Sequence, residues 1–366
     1  MKEQEEIEKT ATVMLKLSNT IAISVVLLLI TFIVLIFDIH LPENKAEQVK
    51  VPVADSNGLF TETAREEFRQ KQIRAMFWQA PDNSELENES NKQQILYGKD
   101  LVVNTAFYFG DKGSVNAGAT NGMNCQNCHL DAGTKVFGNN YGSVASTYPK
   151  YRARSGTIEP LFKRVNDCFE RSLNGKTLDS NSKEMLAIIA YINWLGKNIE
   201  KNKKAAGSGF KDLAYLERAA SAEKGSVVYI EKCQSCHQKN GMGLMNGDKT
   251  AYTYPPLWGP KSYNEGAGLY RLSNFARYVK YNMPLGASHN APQLSDEEAW
   301  DVAAFVNTQN RPKIDITKDW PNLAEKPFDH PFGPFADGFD ENQHKYGPYK
   351  AILDVKKTTH KKGPST

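Results

Sequence analysis

Two five-residue stretches of this 366-residue chain combine thiols and an imidazole at a fixed spacing. CQNCH occupies residues 125–129 and CQSCH occupies residues 233–237. Two cysteines separated by two residues and followed directly by histidine are the attachment signal of c-type haem, whose iron the histidine then binds. A thioredoxin-type redox pair or half of a zinc site is the alternative, but neither requires two copies that each end in histidine. The pattern therefore predicts two covalently bound haems c: haem 1 on Cys125, Cys128 and His129, and haem 2 on Cys233, Cys236 and His237.

The second motif is followed by several side chains that could bind the remaining axial position of haem 2. Met242 and Met245 follow the motif too closely to cross to the far face of a haem. Met283 lies in YNMPLG, where Pro284 stiffens the loop, and its thioether suits a high-potential electron-transfer haem. We therefore predict Met283 as the ligand, with His289 as the rival and a core-filling methionine as the simpler interpretation.

The first motif has no such methionine. Between residues 130 and 181 the chain contains neither methionine nor histidine, and Cys168 is the one soft donor there. Lysines are weaker candidates, and Met185 falls in an apolar helix where it is expected to fill the core. The sequence thus predicts Cys168 as the second axial ligand of haem 1.

Positively charged residues surround Cys168. The segment 157–175 is predicted to be a helix, with Thr157 as its cap, Pro160 in its first turn and Gly175 at its end. Helix neighbours of Cys168 at spacings of three and four are Arg164, Arg171 and Ser172, and further cations precede them at Lys150, Arg152 and Arg154. Nearby cations favour a thiolate and can bind an anion, whereas a buried structural cysteine beside a solvated charged face is the alternative.

Helical patterns frame both motifs in the same order. Segments 91–110 and 222–232 precede the motifs, and segments 182–198 and 295–310 close the two units, with Ser295 and Glu298 forming a capping box. We interpret this as a duplicated, mainly α fold of two tandem class I cytochrome c-type domains. Domain 1 spans residues 61–210 and carries an insertion before its cysteines, and domain 2 spans residues 211–310.

The two ends of the chain differ from these units. Residues 17–38 form an apolar run long enough to cross a bilayer, between a short N-terminus (1–16) and a polar linker (39–60). We predict a transmembrane anchor, because no small-residue cleavage site follows the apolar run. A cleaved signal peptide is the alternative. The C-terminal tail (311–366) has no helix-sized apolar period but many aromatic residues. We expect an extended tail packed across the domains, with about the last dozen residues disordered.

The sequence resembles a known family, the dihaem thiosulfate dehydrogenases, which also act as tetrathionate reductases. The resemblance covers residues 90–310 and rests on CQNCH, RARSG, KRVNDCFERS, CQSCH and YNMPLG. It implies that the cysteine-ligated haem is the active site and that Arg154, Arg164 and Ser172 line it. Some members carry lysine before the ligating methionine. Asn282 stands here, which excludes a Lys/Met exchange.

These observations together predict an enzyme that interconverts thiosulfate and tetrathionate. Electrons would pass through haem 2 to a soluble or membrane cytochrome, on the periplasmic side of the bacterial inner membrane, with the anchor in contact with lipid. A net charge of +3 gives no basis for a nucleic-acid partner. A dihaem electron carrier without catalysis is the main alternative, although a carrier needs neither Cys168 nor the arginines. A dihaem peroxidase is a further alternative, but such an enzyme would keep one haem open rather than bound to a thiolate.

Overall fold

The structure, a computed structural model, describes Phe68, Gln72 and residues 76–361. The predicted N-terminus, anchor and linker (1–60) lie outside these residues. Among the residues described, no helix combines the length and apolar character needed to cross a membrane. The described part is mostly helical, as predicted.

Within residues 77–210 of the described structure, six α-helices build the first haem domain. They are α1 (Lys92–Val103), α2 (Thr105–Phe109), α3 (Leu130–Gly133), α4 (Val144–Thr147), α5 (Leu161–Asp167) and α6 (Lys183–Leu195). Short 3₁₀ turns occur at Asn83–Asn88 and Cys125–Asn127. The predicted helix 91–110 is therefore divided in two, with Asn104 capping both pieces.

The second domain repeats this plan with fewer additions. Its helices are α7 (Ala222–Lys232), α8 (Gln234–His237), α9 (Leu272–Asn282) and α10 (Asp296–Thr308), with a 3₁₀ turn at Gly268–Tyr270. The short strands β3 (Leu244–Met245) and β4 (Tyr252–Tyr254) pair antiparallel. The predicted capping box of α10 is present, since Ser295 Oγ accepts from Glu298 N and the Glu298 carboxylate accepts from Ser295 N.

The first and last helices of each domain pack closely against each other, and a glycine makes this possible in both. A Cβ on Gly98 of α1 would lie 1.9 Å from the Ala187 carbonyl oxygen of α6. A Cβ on Gly225 of α7 would lie 1.8 Å from the Asp301 carbonyl oxygen of α10. Neither distance is possible between non-bonded atoms, so both helix crossings require glycine. The shared device supports the duplication predicted from the sequence.

The prediction of one helix over residues 157–175 is wrong at its start. Thr157–Glu159 is a strand, β2, which pairs antiparallel with β1 (Lys150–Arg152). Gly156 has φ +67°, a conformation that glycine adopts easily, and the chain reverses there. Pro160 is the N-cap of α5 rather than a residue of its first turn. After Asp167 the helix widens into a π-turn over Cys168–Ser172.

The prediction for the C-terminal tail is partly wrong. The tail contains a 3₁₀ turn (Leu323–Glu325) and two helices, α11 (Glu341–Tyr346) and α12 (Lys350–Lys361), so much of the segment expected to be disordered is helical. Ile352 is fully buried, and Tyr349 just before it is 3% exposed. The expected aromatic packing is present, because Phe328 and Tyr349 contact Tyr215 of domain 2.

Candidate haem and active sites

The first motif places its three haem-binding residues around one cavity. Cys125, Cys128 and His129 line a cavity of about 220 Å³ that helices α5 and α6 help to enclose. His129 Nδ1 lies 2.6 Å from the Asn139 carbonyl oxygen, and the Tyr141 ring stacks on the imidazole at 4.5 Å. A backbone acceptor on Nδ1 fixes the tautomer and leaves Nε2 for iron. The donor set therefore fits a covalently bound haem.

The second motif is arranged in the same way. Cys233, Cys236 and His237 line a cavity of about 370 Å³, and His237 Nδ1 lies 2.8 Å from the Pro255 carbonyl oxygen. Burial lowers the pKa of His237, which keeps the imidazole neutral as iron ligation requires. This donor set also fits a c-type haem.

The structure separates the two ligands considered for haem 2. Met283, the C-cap residue of α9, lines the same cavity as His237. His289 instead packs its ring edge-on against Phe77 and Phe137 of domain 1, at 5.1 and 5.2 Å, and it is not part of the cavity wall in the described structure. The geometry thus favours Met283.

Cys168 faces the cavity of haem 1. It lines that cavity together with His129, and its Sγ lies 3.2 Å from Arg164 Nη1. Burial raises the pKa of the Cys168 thiol, but the neighbouring Arg164 charge lowers it, and the net result is a pKa of about 7. Burial instead raises the pKa of Cys125 to about 11 and of Cys128 to about 12. All three cysteines line one cavity, and Cys168 is the one that lies outside the attachment motif and beside a guanidinium.

The π-turn decides which neighbours accompany Cys168. Leu173 N donates to the Cys168 carbonyl oxygen at 2.9 Å, a span of five residues. Ser172 lines the cavity of haem 1 on this wider turn. Arg171, expected on the same face, turns away and forms two hydrogen bonds of 2.9 Å to the Asp319 carboxylate.

Arg154 lies at the junction of the first domain, the second domain and the tail. Its Nη1 donates to the Gly266 carbonyl oxygen at 2.9 Å, and its Nε lies 3.9 Å from Asp319. Within the described structure Arg154 is not part of the haem 1 cavity wall, unlike Arg164. Burial and then Arg171 lower the pKa of Arg154 to about 10, so the side chain is still cationic at neutral pH.

Sequence reasoning missed Tyr148 and Asp319. Tyr148 lines the cavity of haem 1, and its buried hydroxyl has no hydrogen-bond partner among the residues described. Its place just before the basic stretch 150–154 was an available signal. Asp319 is 148 residues from Arg171 in the chain, and no local pattern connects the two.

The two haem cavities share part of their walls. Met123, Asn124, Cys128 and Leu269 line both of them. Cys128, one of the two attachment residues of haem 1, therefore also faces the cavity of haem 2. Tyr278 strengthens this contact between the domains, since its hydroxyl donates to the Asn127 carbonyl oxygen at 2.9 Å. One layer of side chains therefore separates the two cavities.

Known proteins share these features. Residues 115–200 match the family described as SoxA/TsdA, cytochrome c domain, and residues 222–310 match cytochrome c. Two such domains imply two covalently bound c-type haems and indicate an extracytoplasmic location.

Several relatives carry the same enzyme name. Thiosulfate dehydrogenase of Allochromatium vinosum is 40% identical over 196 residues, which cover 52% of this chain and 71% of the relative. That of Thiomonas intermedia is 35% identical over 234 residues, covering 64% and 71%. A solved structure, thiosulfate dehydrogenase (TsdBA) from Marichromatium purpuratum, is similar with a TM-score of 0.59 at 28% identity, over 65% of this chain and 50% of that one. The chain belongs to the thiosulfate dehydrogenase family of cytochromes c.

Proposed function

We propose that this chain interconverts thiosulfate and tetrathionate in the cavity of haem 1, with Cys168 as the reacting residue. The reaction is 2 S₂O₃²⁻ ⇌ S₄O₆²⁻ + 2 e⁻. The observation that carries the proposal is the Cys168 thiol, which lies 3.2 Å from Arg164, faces the same cavity as His129 and has its pKa lowered to about 7. A thiol with a pKa near ambient pH combines a useful thiolate fraction with strong nucleophilicity toward sulfur.

The chemistry of the thiolate supports both directions. The central S–S bond of tetrathionate is disulfide-like, and Cys168 attacks one of its sulfurs. One thiosulfate leaves, and the other half stays on the residue as Cys–S–S–SO₃⁻. Two electrons then cleave that bond and release the second thiosulfate and the thiolate. In the oxidative direction the same bonds form in reverse order, so no proton is consumed.

Arg164 and Ser172 supply what the anions need. Thiosulfate and tetrathionate are both dianions, and two thiosulfates must approach each other, so fixed cations and hydrogen-bond donors are required in a site that excludes water. Arg164 is the guanidinium in the cavity wall and Ser172 adds a hydroxyl. We assign to Arg164 both the stabilisation of the thiolate and the binding of the sulfonate group, and to Ser172 a hydrogen bond to the substrate.

Haem 2 is the exit for electrons in this proposal. When bound, the two haems each accept one electron. His237 and Met283 are assigned as the axial ligands of haem 2, and a thioether ligand raises the potential, as an electron acceptor requires. The wall shared by the cavities supports direct transfer between the haems. A soluble or membrane cytochrome would take the electrons onward.

We further propose that residues 17–38 anchor the chain in the bacterial inner membrane, with both haem domains on the periplasmic side. Support comes from the length and apolar character of this run and from the extracytoplasmic location that cytochrome c domains indicate. Mass analysis of the mature membrane protein tests this, because an anchor requires residues before Leu41. A mature N-terminus between residues 41 and 60 would show a cleaved signal peptide instead.

One assay tests the function. The full-length, haem-loaded protein is mixed with thiosulfate and ferricyanide, and then separately with tetrathionate and a reduced dye. Turnover in both assays is expected. A protein that exchanges electrons with the dyes but produces and consumes no tetrathionate is an electron carrier, and that result would overturn the proposal.

A further inference from the structure

A group of cations lies beside the point at which the N-terminal part of the chain joins the first haem domain. Trp78 N donates to the Ala206 carbonyl oxygen at 3.0 Å, and a Cβ on Gly142 would lie 2.6 Å from the Trp78 ring. The segment that follows the predicted anchor therefore meets the domain beside residues 142–148 and 201–206. Five cationic residues lie in or next to these segments, and we call them the basic surface: Lys150, Arg152, Lys201, Lys203 and Lys204.

The members of the basic surface lie close together. Lys201 Nζ donates to the Tyr148 carbonyl oxygen at 2.5 Å, which ties the lysine segment to the chain that leads into Lys150. Burial, and then the charges of Arg152 and Lys204, lower the pKa of Lys150. These three side chains are therefore close enough to repel one another.

The charges of the basic surface are only partly neutralised. Its four lysines are exposed and Arg152 is half-buried. Within the described structure none of the five forms an ion pair with a carboxylate, unlike Lys163, which pairs with Asp167 at 2.5 Å. Glu159 on the paired strand and Glu200 beside the lysine segment offset part of the charge. The basic surface keeps a net positive charge, to which an anionic partner is complementary.

An exposed apolar pair lies next to the basic surface. Tyr151 and Ile158 are opposite each other in the register of β1 and β2, so their side chains are on one face of the hairpin. They are 48% and 71% exposed. The Tyr151 hydroxyl donates to Glu325 at 2.7 Å, and Lys150 and Arg152 flank Tyr151 along β1. An aromatic and an aliphatic side chain among cations are typical of segments that lie in a membrane interface, where the ring is at headgroup level.

We propose that the basic surface and the Tyr151–Ile158 face bind the anionic phospholipid headgroups of the bilayer in which the chain is anchored. Anionic lipid attracts each lysine or arginine near its surface, and the anchor makes the contact intramolecular, so a few cations are sufficient. A small hydrated dianion such as thiosulfate would use the cations but leave the apolar pair in water, which favours a lipid partner. The inference rests on the anchoring proposed for residues 17–38, and it adds a membrane contact made by the first haem domain itself.

Footprinting of the full-length, haem-loaded protein in nanodiscs tests this contact. Hydroxyl-radical labelling of Tyr151 and Ile158 is compared between discs of phosphatidylcholine alone and discs that also contain phosphatidylglycerol. Labelling of both residues should be about fivefold lower with the anionic lipid, the scale of one cation's attraction to an anionic surface. Salt at about 1 M should restore the labelling, because it screens charges beyond about 3 Å. Ile230, which is 57% exposed on α7 of domain 2, should be labelled equally in both discs.

Neutralising three lysines of the basic surface should remove the protection by anionic lipid. The substitutions, made together, are Lys150→Gln, Lys203→Gln and Lys204→Gln. Neutralising three exposed lysines of domain 2 is the matched control, because it removes the same charge, and the protection should persist. Its substitutions, also made together, are Lys224→Gln, Lys239→Gln and Lys249→Gln.

Equal labelling of Tyr151 and Ile158 in the two discs would overturn the inference, as would protection that survives neutralisation of the basic surface. A rise in KM for thiosulfate in that variant, with the protection retained, would assign the cations to the substrate instead. Should the variant fail to retain two haems, protection of the wild type that persists at about 1 M salt overturns the inference. Failure of the wild type to enter nanodiscs would refute the anchor itself, so the two failures are distinguishable.

Discussion

The two haem domains are built alike around their attachment motifs. They differ in the side chains proposed to bind or approach the second axial position of each haem. Each packs its first helix against its last through a glycine, and each holds a proximal histidine by a backbone carbonyl. Domain 2 then offers Met283 in an otherwise largely apolar wall. Domain 1 offers Cys168 with Arg164 and Ser172. In the function proposed above, one scaffold serves electron relay or catalysis according to the few side chains that line each haem cavity.

Removing the thiol should have the largest effect. Cys168→Ala is expected to retain both haems, because the change is small and the attachment cysteines are untouched. It should reduce thiosulfate oxidation and tetrathionate reduction alike, by about a thousandfold or more, since both directions use the same nucleophile. Haem content by acid–acetone extraction and turnover in both assays measure this. Near-normal turnover would return Cys168 to a structural role and make the two domains functionally alike.

The second-largest effect is expected from removing the Arg164 charge beside the Cys168 thiol. Arg164→Gln should lower kcat/KM about a hundredfold, the scale for loss of one donor at a developing charge. Because Arg164 lowers the pKa of Cys168 to about 7, its removal should move the rise of activity with pH to higher pH. The pH profile of tetrathionate reduction measures this shift. An unshifted profile with reduced activity would mean that Arg164 binds substrate without stabilising the thiolate.

In domain 2, Met283→Gly should change the absorption spectrum of haem 2 more strongly than it changes turnover. The weak sulfur–iron absorption band of the oxidised haem should disappear with haem 2 still attached, and loss of the thioether should lower its potential. Turnover with ferricyanide should fall about tenfold, because a lower potential opposes electron transfer out of haem 1. His289→Ala is the control and should leave the band intact. If His289→Ala removes the band instead, the ligand assignment is wrong.

The smallest effect is expected for Ser172→Ala. Loss of one neutral hydrogen bond of about 1 kcal/mol corresponds to about a fivefold rise in KM for thiosulfate, with kcat nearly unchanged. Ser226→Ala changes a half-buried serine on α7 that donates to the Glu223 carbonyl oxygen, and it is a control on the other domain. Equal effects of the two changes would show that Ser172 does not contact the substrate.

Much of the site could be predicted because it rests on local spacing. The cysteine–histidine motifs and the capping box at Ser295 depend on residues close together in the chain, and the soft donor proposed for each haem was found by elimination within one loop. The helix over 157–175 could not be predicted correctly, because the pairing of β1 with β2 and the π-turn depend on surrounding contacts. A helical period of 3.6 residues placed Arg171 beside Cys168, whereas the wider turn and Asp319 direct it elsewhere.

The sequence by itself determined that this chain carries two c-type haems in duplicated helical units, that Cys168 is the odd thiol and that cations surround it. The reason is that covalent haem attachment requires two cysteines and a histidine at a fixed, short spacing. Only the tertiary structure decided which cations reach the thiol, that Met283 rather than His289 lines the second cavity, and that the tail contacts Arg154 and Arg171. The contacts of Arg154 and Arg171 depend on packing between segments more than a hundred residues apart, where burial and charge rather than sequence proximity determine which side chains meet.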